Sequence, residues 1–318
     1  RVMSKKKHKP MWVKKIEFAF LMLGVRLIEK LSVKQCYALA DRIGALIFLV
    51  DRKHRNRAVQ HVLHSGLRTS RPEAVKLAKA SFQHMIKVFM EIVKAPQLVT
   101  AENFHEYYEV DDRMDPAVRE RFFNPPHSQP SILATGHIGN WELAGSAYSL
   151  LSGIPLCSIM RPLENELIGN FFYSHRAVFN HTTVSKENGL RPLLKALLGG
   201  KSIAIVADQH ASHSEGVVVD FLGHPARAHM TPALLGLKTQ VPITCVVLIR
   251  KDNQFHFKMV LNGPVMYTPT GDKDKDIQTM TQLYTDLITE TLKEYPEQWL
   301  WPHRRWLDCN RNTPKKED

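Results

Sequence analysis

The segment SILATGHIGNWELAG, residues 131–145, decides the fold that we expect for this chain. A short apolar run is followed by the turn Gly-His-Ile-Gly-Asn and then by the start of a helical segment. Gly136 and Gly139 permit a tight turn, and Asn140 is a favourable N-cap for the helix that follows. The segment therefore predicts a buried strand joined to a helix by a turn that carries His137.

Short apolar segments alternate with helical ones along the rest of the chain. Further strands are predicted in IPLCSI, SIAIVA, VVVDF, ITCVVLI and FHFKMV, and helices at about 141–152, 164–180, 189–199, 230–239 and 275–294. This alternation predicts an α/β fold, a mainly parallel sheet flanked by helices. Ligands bind beyond the carboxyl ends of the strands in such sheets. His137 and the pair Asp208-Gln209 follow two of these strands, so we expect the site there.

The N-terminal third is predicted to be helical, because its apolar residues recur every three or four positions. In the longest segment, Ser70 is expected to start the helix and Pro96 to end it. We expect three regions: 1–50 as a basic leader with apolar membrane-anchoring helices, 51–126 as a helical region packed on the catalytic domain, and 127–318 as the α/β domain.

The first apolar run, Ile16–Ile28, bears on membrane binding. It is shorter than the ~20 residues of a spanning helix and it contains Glu17 and Arg26, so a clean span is not expected. An interfacial anchor is favoured, with the basic residues at positions 5–9 drawn to anionic headgroups. A cleaved signal peptide and a buried core helix remain alternatives.

Composition limits the classes of partner. The 318 residues carry a formal net charge of +12, which attracts polyanions such as nucleic acid, anionic lipid, phosphorylated sugars or an acidic carrier protein. Basic residues are dispersed and no nucleic-acid-binding module is recognised, so nucleic acid is not an expected partner. The four cysteines form no CxxC pair, which fits a reducing compartment and predicts neither a zinc ribbon nor a disulfide framework.

His137 and Glu142 form the candidate catalytic pair. On one helix, five positions would place them about 140° apart, so they meet only if the histidine precedes the helix. The carboxylate would then hold the imidazole in one tautomer and leave the other ring nitrogen as a general base. A capped helix beside a merely hydrogen-bonded histidine remains the alternative. No metal site is expected, because His210 and His213 lack a complete set of ligands at suitable spacing.

Four motifs occur in order along the chain: GHIGNWE (136–142), MRPLENELI (160–168), ADQHASHSEGVVVDFLGHPA (207–226) and YPEQWLWPHRRW (295–306). Together they resemble the motifs of the lysophospholipid acyltransferase superfamily, and specifically the lauroyl and myristoyl acyltransferases that act late in lipid A biosynthesis. The resemblance extends over nearly the whole chain from about residue 11.

The resemblance implies a glycerol-phosphate-acyltransferase-like fold and a place on the inner, cytosolic face of the cytoplasmic membrane. It implies acyl transfer from acyl carrier protein to a hydroxyl of a lipid A precursor, with His137 as base and Glu142 orienting it. The acyl thioester is a co-substrate, and no cofactor is implied. Another glycolipid or lysophospholipid acceptor, a coenzyme A donor and a non-enzymatic lipid-binding role remain alternatives.

The resemblance also suggests residues that bind substrate. These are Asn140, Arg161, Asp208, Gln209, His303, Arg304 and Arg305. The backbone N–H groups of residues 138–141 and the Arg161 side chain are candidates for stabilising the oxyanion, although Arg161 also suits an acceptor phosphate. Asp208 and Gln209 have the alternative of satisfying backbone groups at a strand end. For residues 303–305 the alternative is a solvated basic segment.

Overall fold

The computed structural model describes residues 9–160, 162–177, 180–185 and 190–307. Its helices are α1 Met11–Lys30, α2 Val33–Val50, α3 Arg52–His64, α4 Arg71–Leu98, α5 Pro116–Phe123, α6 Trp141–Ser152, α7 Glu166–Ala177, α8 Arg191–Leu198, α9 Thr231–Thr239 and α10 Lys273–Glu294. Its strands are β1 Tyr108–Val110, β2 Ile132–Thr135, β3 Leu156–Met160, β4 His181–Ser185, β5 Ser202–Val206, β6 Gly216–Phe221, β7 His224–His229, β8 Ile243–Arg250 and β9 Phe257–Val265.

Seven of these strands form one sheet in the order β1-β9-β8-β2-β5-β3-β4. Strands β8, β2, β5, β3 and β4 are parallel to one another, whereas β9 is antiparallel to β8 and carries β1 parallel to itself. The sheet is therefore mainly parallel and flanked by helices, which confirms the predicted fold class. Every predicted strand is present, but VVVDF lies in a separate antiparallel hairpin of β6 and β7.

Three strands were not predicted: β1, β4 and β7. They are short or polar and lack an apolar run, because β1 and β4 are the edges of the sheet and β7 belongs to the small hairpin. Edge strands are half-solvated and so carry a weaker hydrophobic signal. β1 comes from the segment 51–126, which the sequence assigned to the helical region, and it joins the sheet through β9.

The two faces of the sheet are covered by different helices. Ile132 and Ala134 of β2 pack in one apolar cluster with side chains of α8, α9 and α10. Leu133 points to the opposite face and packs in a second cluster with Leu143 and Ala147 of α6. This alternation is the period of two that a strand buried on both faces requires. It leaves α6 as the helix that lies over the face next to His137.

The N-terminal region is helical as predicted, and α4 is its longest member. Ser70 is its N-cap, with the side chain accepting a hydrogen bond from the N–H of Glu73. The expected end at Pro96 is wrong, since α4 continues through this proline to Leu98. Nor is α4 buried on one face only, because His84 and Glu91 are also buried. The periodicity of apolar residues could not predict the burial of these two polar side chains, which contact the turn that carries His137.

The first helix, α1, is amphipathic and packs only one side against the protein. Val25 and Ile28 are buried in a cluster with residues of α2 and α4. Its opposite side exposes a stripe of large apolar side chains: Trp12, Ile16, Phe20, Leu23 and Leu27. Over the part of the chain that the structure describes, no helix has both the length and the apolar character needed to cross a membrane. Most of the basic leader, residues 1–8, lies outside the described residues.

Candidate active site

His137 and Asp208 form a hydrogen-bonded pair where two neighbouring strands end. β2 and β5 are parallel with Thr135 opposite Val206, so the residues two positions beyond each of these meet at one edge of the sheet. The His137 Nδ1 lies 2.8 Å from Asp208 Oδ1, and the His137 backbone N–H donates to Oδ2 at 2.8 Å. Asp208 is 2% exposed. A buried carboxylate therefore fixes both the imidazole and its backbone.

Trp299 completes the environment of the carboxylate. Its indole N–H donates to Asp208 Oδ2 at 2.7 Å, and the side chain is buried. Burial raises the pKa of Asp208, but the His137 charge and the hydrogen bonds from His137 and Trp299 outweigh it and hold this pKa below its ordinary value. Asp208 is thus ionised at neutral pH. An ionised Asp208 favours the tautomer in which Nδ1–H donates to it, which leaves the lone pair on Nε2.

Asp208 is thus hydrogen-bonded to His137, a contact that the sequence did not predict; the orienting role expected of Glu142 stays a prediction. Glu142 lies in the first turn of α6 and lines the same cavity as His137. The sequence argument weighed residues that are near in the chain, whereas the contact that forms joins residues 71 positions apart. The expectation that Asp208 contacts substrate stays a prediction, and the contact that the structure shows is the one with His137.

A cavity of about 720 Å³ opens at His137 and runs between the sheet and α6. Its mouth is polar, with the side chains of His137, Glu142, Gln209 and His303. Its deeper wall is apolar and includes Leu133, Ala144, Gly145, Leu156, Ala204 and Val246. The Gln209 amide nitrogen lies 3.2 Å from each ring nitrogen of His137, which places this side chain against the imidazole at the mouth.

The turn that carries His137 is held by the backbone of two other segments. Gly139 has φ +61°, and its N–H donates to Gln298 O at 2.9 Å. The Asn140 N–H donates to Leu248 O at 2.7 Å. A Cβ on Gly139 would lie 2.1 Å from Leu248 O, so glycine is required here both by conformation and by space.

These contacts narrow the candidates for an oxyanion hole. Of the four backbone N–H groups in the turn 138–141, those of Gly139 and Asn140 are committed to Gln298 and Leu248. Ile138 and Trp141 remain as the backbone candidates. Trp141 is the first residue of α6, where the helix leaves N–H groups without intrahelical acceptors and its dipole favours negative charge.

Asn140 is the predicted N-cap of α6. Its Oδ1 accepts from the N–H of Leu143 at 2.9 Å, which confirms the cap. Its Nδ2 donates to Glu91 Oε2 at 2.7 Å, and the residue has no exposed surface. Both functional groups of the amide point into the protein. Asn140 therefore ties the turn to α4, and its expected contact with substrate stays a prediction.

A buried ion pair lies beneath this turn. Glu91 has no exposed surface and pairs with Arg250, and it also accepts a hydrogen bond from the Tyr37 hydroxyl at 2.9 Å. His84 faces the same arginine and places Nε2 3.1 Å from Gly139 O. Burial lowers the pKa of His84 well below its ordinary value, as does the charge of Arg250. A neutral His84 can accept from Arg250 and donate to the turn, which links α2, α4 and β8 to it.

The C-terminal motif divides into three different roles. His303 lines the cavity, and its Nδ1 is buried with no hydrogen-bond partner among the described residues. Burial lowers the pKa of His303 to about 4, so this side chain is neutral near pH 7 and offers a hydrogen bond rather than a charge. Arg304 is exposed. Burial lowers the pKa of Arg57, and the charge of the nearby Arg304 lowers it further. Two cations therefore lie close together at this surface.

Arg305 is buried and binds backbone carbonyl groups, and its expected contact with substrate stays a prediction. It has no exposed surface, and its Nη1 donates to Arg227 O at 2.6 Å and to Gln209 O at 3.3 Å. Its guanidinium also lies 4.2 Å from the ring centroid of Phe221. The arginine therefore holds the β6–β7 hairpin against the loop that contains Gln209. Trp299, Trp301 and Trp306 of the same motif are all buried.

Arg161 lies outside the described residues. Within the ranges that the structure describes, no group of three or more histidine, cysteine or acidic side chains is arranged to hold a metal ion.

Comparison with known proteins decides the family. The sequence model of the family described as bacterial lipid A biosynthesis acyltransferase matches residues 3–308. The chain belongs to this family. The resemblance carried by the four motifs is thus confirmed. In this member of the bacterial lipid A biosynthesis acyltransferase family, the first motif lies at the mouth of the cavity. The last motif packs against it, because Trp299 donates to the carboxylate that binds His137.

Curated relatives are more distant. Phosphatidylinositol mannoside acyltransferase of Mycolicibacterium smegmatis (strain ATCC 700084 / mc(2)155) is 24% identical over 181 residues, 56% of this chain and 57% of that protein. The protein of the same name from Mycobacterium tuberculosis (strain CDC 1551 / Oshkosh) is 23% identical over 181 residues, 56% of this chain and 54% of that protein. The matches therefore span little more than half the length of these relatives.

For this acyltransferase-family chain, the sequence did not reveal which buried residues support the turn that carries His137. Glu91, Arg250 and Trp299 each serve the turn or its carboxylate through contacts between distant segments. A charged residue inside the apolar pattern of α4 was the one local signal, since Glu91 lies between Met90 and Ile92. A buried acid in a helix needs a partner, and this requirement could have prompted a search for a cation.

Proposed function

We propose that this protein is an acyltransferase that moves a fatty acyl group from a thioester donor to a hydroxyl of a glycolipid. The single observation that carries the proposal is the His137–Asp208 pair at the mouth of an apolar cavity. Membership of the acyltransferase family supports the reaction class. The names of the mycobacterial relatives support a glycolipid acceptor.

The chemistry follows from the tautomer that Asp208 favours. His137 Nε2 accepts the proton of the acceptor hydroxyl as that oxygen attacks the thioester carbonyl carbon. The tetrahedral oxyanion is stabilised at the N-terminus of α6, where Trp141 begins the helix. The carbon–sulfur bond then breaks, and the leaving thiolate takes the proton back from the imidazolium. Asp208 stabilises the imidazolium between the two steps, and no acyl-enzyme is formed.

The cavity suits the acyl chain of the donor. Its deep wall is apolar, and side chains as small as Ala144, Gly145 and Ala204 leave the space between α6 and the sheet open. Burying a fatty chain there releases apolar surface from water, at roughly 0.8 kcal/mol per methylene. The thioester carbonyl would then lie at the polar mouth, within reach of His137.

We propose acyl carrier protein as donor and a lipid A precursor as acceptor. The net charge of +12 favours an acidic carrier, and the exposed Arg304 beside Arg57 offers an anion site near the mouth. Association should then weaken as ionic strength rises. His303 lines the cavity, and its Nδ1 has no hydrogen-bond partner among the described residues, so it is suited to a polar group of either substrate.

The stripe on α1 supports attachment to the inner, cytosolic face of the cytoplasmic membrane. Trp12, Ile16, Phe20, Leu23 and Leu27 recur at intervals of three or four and are all exposed, so they form one apolar face. Exposed cations on the same helix, Lys15, Arg26 and Lys30, suit an anionic lipid surface.

The first turns of α1 contact the segment that follows β3. Asn165 follows the carboxyl end of β3 and donates to Lys14 O at 2.9 Å, and Lys14 forms an ion pair with Glu166 at 2.5 Å. The membrane-facing helix is thus attached at the edge of the sheet that carries the site.

The test of the reaction is transfer of labelled acyl groups from a carrier-protein thioester to a panel of lipid A precursors, phosphatidylinositol mannosides and lysophospholipids. The parent protein should acylate one acceptor class, and His137→Ala should lower the rate by about 10²- to 10⁴-fold, the usual contribution of a general base. Acyl release to water without an acylated acceptor would instead identify a hydrolase. Equal rates for the parent and His137→Ala would remove the histidine from the mechanism.

The test of membrane binding is cosedimentation with anionic and with zwitterionic vesicles. Phe20→Glu should weaken binding to anionic vesicles, because it places a charge in the middle of the apolar stripe. Leu198→Glu is the matched control, since Leu198 is also highly exposed, at 74% against 72% for Phe20, but lies on α8 away from the stripe. Equal binding by both variants would argue against α1 as the membrane contact.

A further inference from the structure

The cavity beside His137 is closed at its far end by β3, β4 and α6. In the sheet, Leu133 and Ser158 both lie opposite Ala204 and form one row of side chains across the cavity wall. The next row, farther from His137, contains Leu156 opposite His181. Both of these residues line the cavity and are almost completely buried, at 0% and 5% exposure. Leu156 and His181 therefore form the floor of the cavity, at the end nearest the edge strand β4.

The floor is polar at one point, which is unusual for an apolar cavity. His181 Nε2 lies 2.8 Å from Ser158 Oγ, and both side chains line the cavity. Hydrogen bonding makes the burial of these two groups tolerable, because a buried polar side chain without a partner is costly. The bond also fixes the direction of the imidazole. A fixed ring is a better end stop than a flexible aliphatic side chain.

Gly145 on α6 makes room for this ring. A Cβ at this position would lie 2.4 Å from His181 Cε1 and 3.0 Å from Leu156 Cδ2. Glycine is otherwise unfavourable inside a helix, so its presence in α6 needs a packing reason. The contact supplies one, since α6 approaches His181 so closely that no side chain fits between them.

We propose that Gly145, Ser158 and His181 set the maximum length of the acyl chain that the cavity accepts. The inference rests on the proposed function and adds a residue-level determinant of the donor. The terminal methyl of a chain whose carbonyl lies at His137 meets the His181 ring. A longer chain must displace the ring and break its bond to Ser158, whereas a shorter chain leaves the floor unfilled.

The experiment measures kcat/KM for carrier-protein thioesters of graded chain length. His181→Ala removes the ring and should move the optimum to longer chains. The ratio of kcat/KM for a longer donor to kcat/KM for the parent's preferred donor should rise by about tenfold or more, because one methylene in an apolar pocket is worth roughly 10- to 200-fold. Gly145→Ala brings a methyl against the His181 ring, which must then shift toward the cavity, and this should move the optimum to shorter chains. The opposite directions separate a length stop from general damage to the site.

Gly169→Ala on α7 is the matched control. It is also a glycine-to-alanine change inside a helix, but its Cβ would meet its nearest neighbour, Tyr173 Cε2, at 3.6 Å, which is ordinary contact. The chain-length profile of this variant should equal that of the parent. If His181→Ala does not fold, Gly145→Ala and the control carry the test alone.

Binding of acyl thioether analogues, which cannot react, provides a second readout by calorimetry. A length optimum that moves with His181→Ala and Gly145→Ala in both assays supports the proposal. Active variants with the parent's profile would overturn it and leave acyl transfer intact. A parent that transfers no acyl group but binds the analogues with a length limit set by His181 would overturn the proposed reaction and keep the length determinant.

Discussion

The hydrogen bond between Asp208 and His137 decides which ring nitrogen carries the proton. Asp208→Asn keeps the shape of the side chain but offers an amide N–H to Nδ1, which favours the tautomer protonated on Nε2. That tautomer cannot accept the acceptor's proton, so we expect kcat to fall by at least about 10²-fold with little change in KM. Steady-state transfer kinetics check this expectation.

Glu142→Gln is the comparison variant for that experiment. Glu142 lines the same cavity as His137, whereas Asp208 is hydrogen-bonded to Nδ1, so the two variants compare the contributions of the two carboxylates. The double variant Asp208→Asn with His137→Ala should be no slower than His137→Ala alone, because the two groups act as a unit. Full activity in Asp208→Asn together with inactivity in Glu142→Gln would return the orienting role to Glu142.

Gly139 is the residue of the turn that tolerates change least. In Gly139→Ala the new Cβ meets Leu248 O, and the backbone keeps a positive φ that an L side chain rarely adopts. Gly66→Ala is matched, with φ +71° but no atom within 4 Å of the added Cβ. We expect Gly66→Ala to cost about 1–2 kcal/mol from conformation alone, and Gly139→Ala to cost about 1–3 kcal/mol more from overpacking. Denaturant unfolding of both variants measures the difference, and equal losses would contradict the close packing of this turn.

At the level of elements, the buried ion pair joins α4 to β8. Arg250→Met leaves Glu91 buried without its cation, and we expect the free energy of unfolding to fall by about 3–5 kcal/mol. Adding Glu91→Leu should recover part of this loss, although Tyr37 and Asn140 then lose an acceptor.

The control is an exposed ion pair between β1 and the residue that follows β8. Lys251 and Glu109 are 2.7 Å apart, with side-chain exposures of 39% and 37%. Lys251→Met should change the free energy of unfolding by less than about 1 kcal/mol. Chemical denaturation reports both values. A similar small loss in Arg250→Met would mean that the interior accommodates an unpaired Glu91.

The elements also differ in how far the sequence predicted them. The apolar strands in the middle of the sheet were predicted because burial on both faces gives continuous apolar runs. β4, with the sequence HTTVS, carries no such run, and β6 was assigned to a hairpin only by the structure. The candidate base and its location at a strand end were predictable from local chemistry. Its partner was not, because the pairing of β2 with β5 is a long-range choice that no local spacing encodes.

For the molecule as a whole, buried neutral histidines make stability depend on pH. Burial lowers the pKa of His61 and of His303 to about 4, from an unfolded value of about 6.5. The unfolded chain therefore binds more protons than the folded one between these values. Stability is fully present above about pH 6.5 and falls as the pH drops toward 4, by up to about 3 kcal/mol for each histidine.

His61→Gln tests this pH dependence. Glutamine can still donate to Trp301 O, which the His61 Nδ1 approaches at 3.2 Å, but it does not titrate. The slope of unfolding free energy against pH between about 6.5 and 4 should therefore be smaller in the variant than in the parent. Denaturant unfolding at several pH values measures the slope. Parallel curves would show that His61 titrates equally in both states.

The order of synthesis determines when the partners in these distant contacts become available. Glu91 leaves the ribosome 159 residues before Arg250, and Asp208 leaves 91 residues before Trp299. During translation the N-terminal helices, including the apolar stripe of α1, are therefore complete while Glu91 still lacks its cation and Asp208 lacks its indole donor. Because chains fold from the N-terminus as they are made, a nascent chain has α1 well before the turn that carries His137 is fixed. If α1 binds lipid as proposed, attachment precedes activity, and a chain interrupted before Trp299 binds the lipid surface before the His137 turn is fixed.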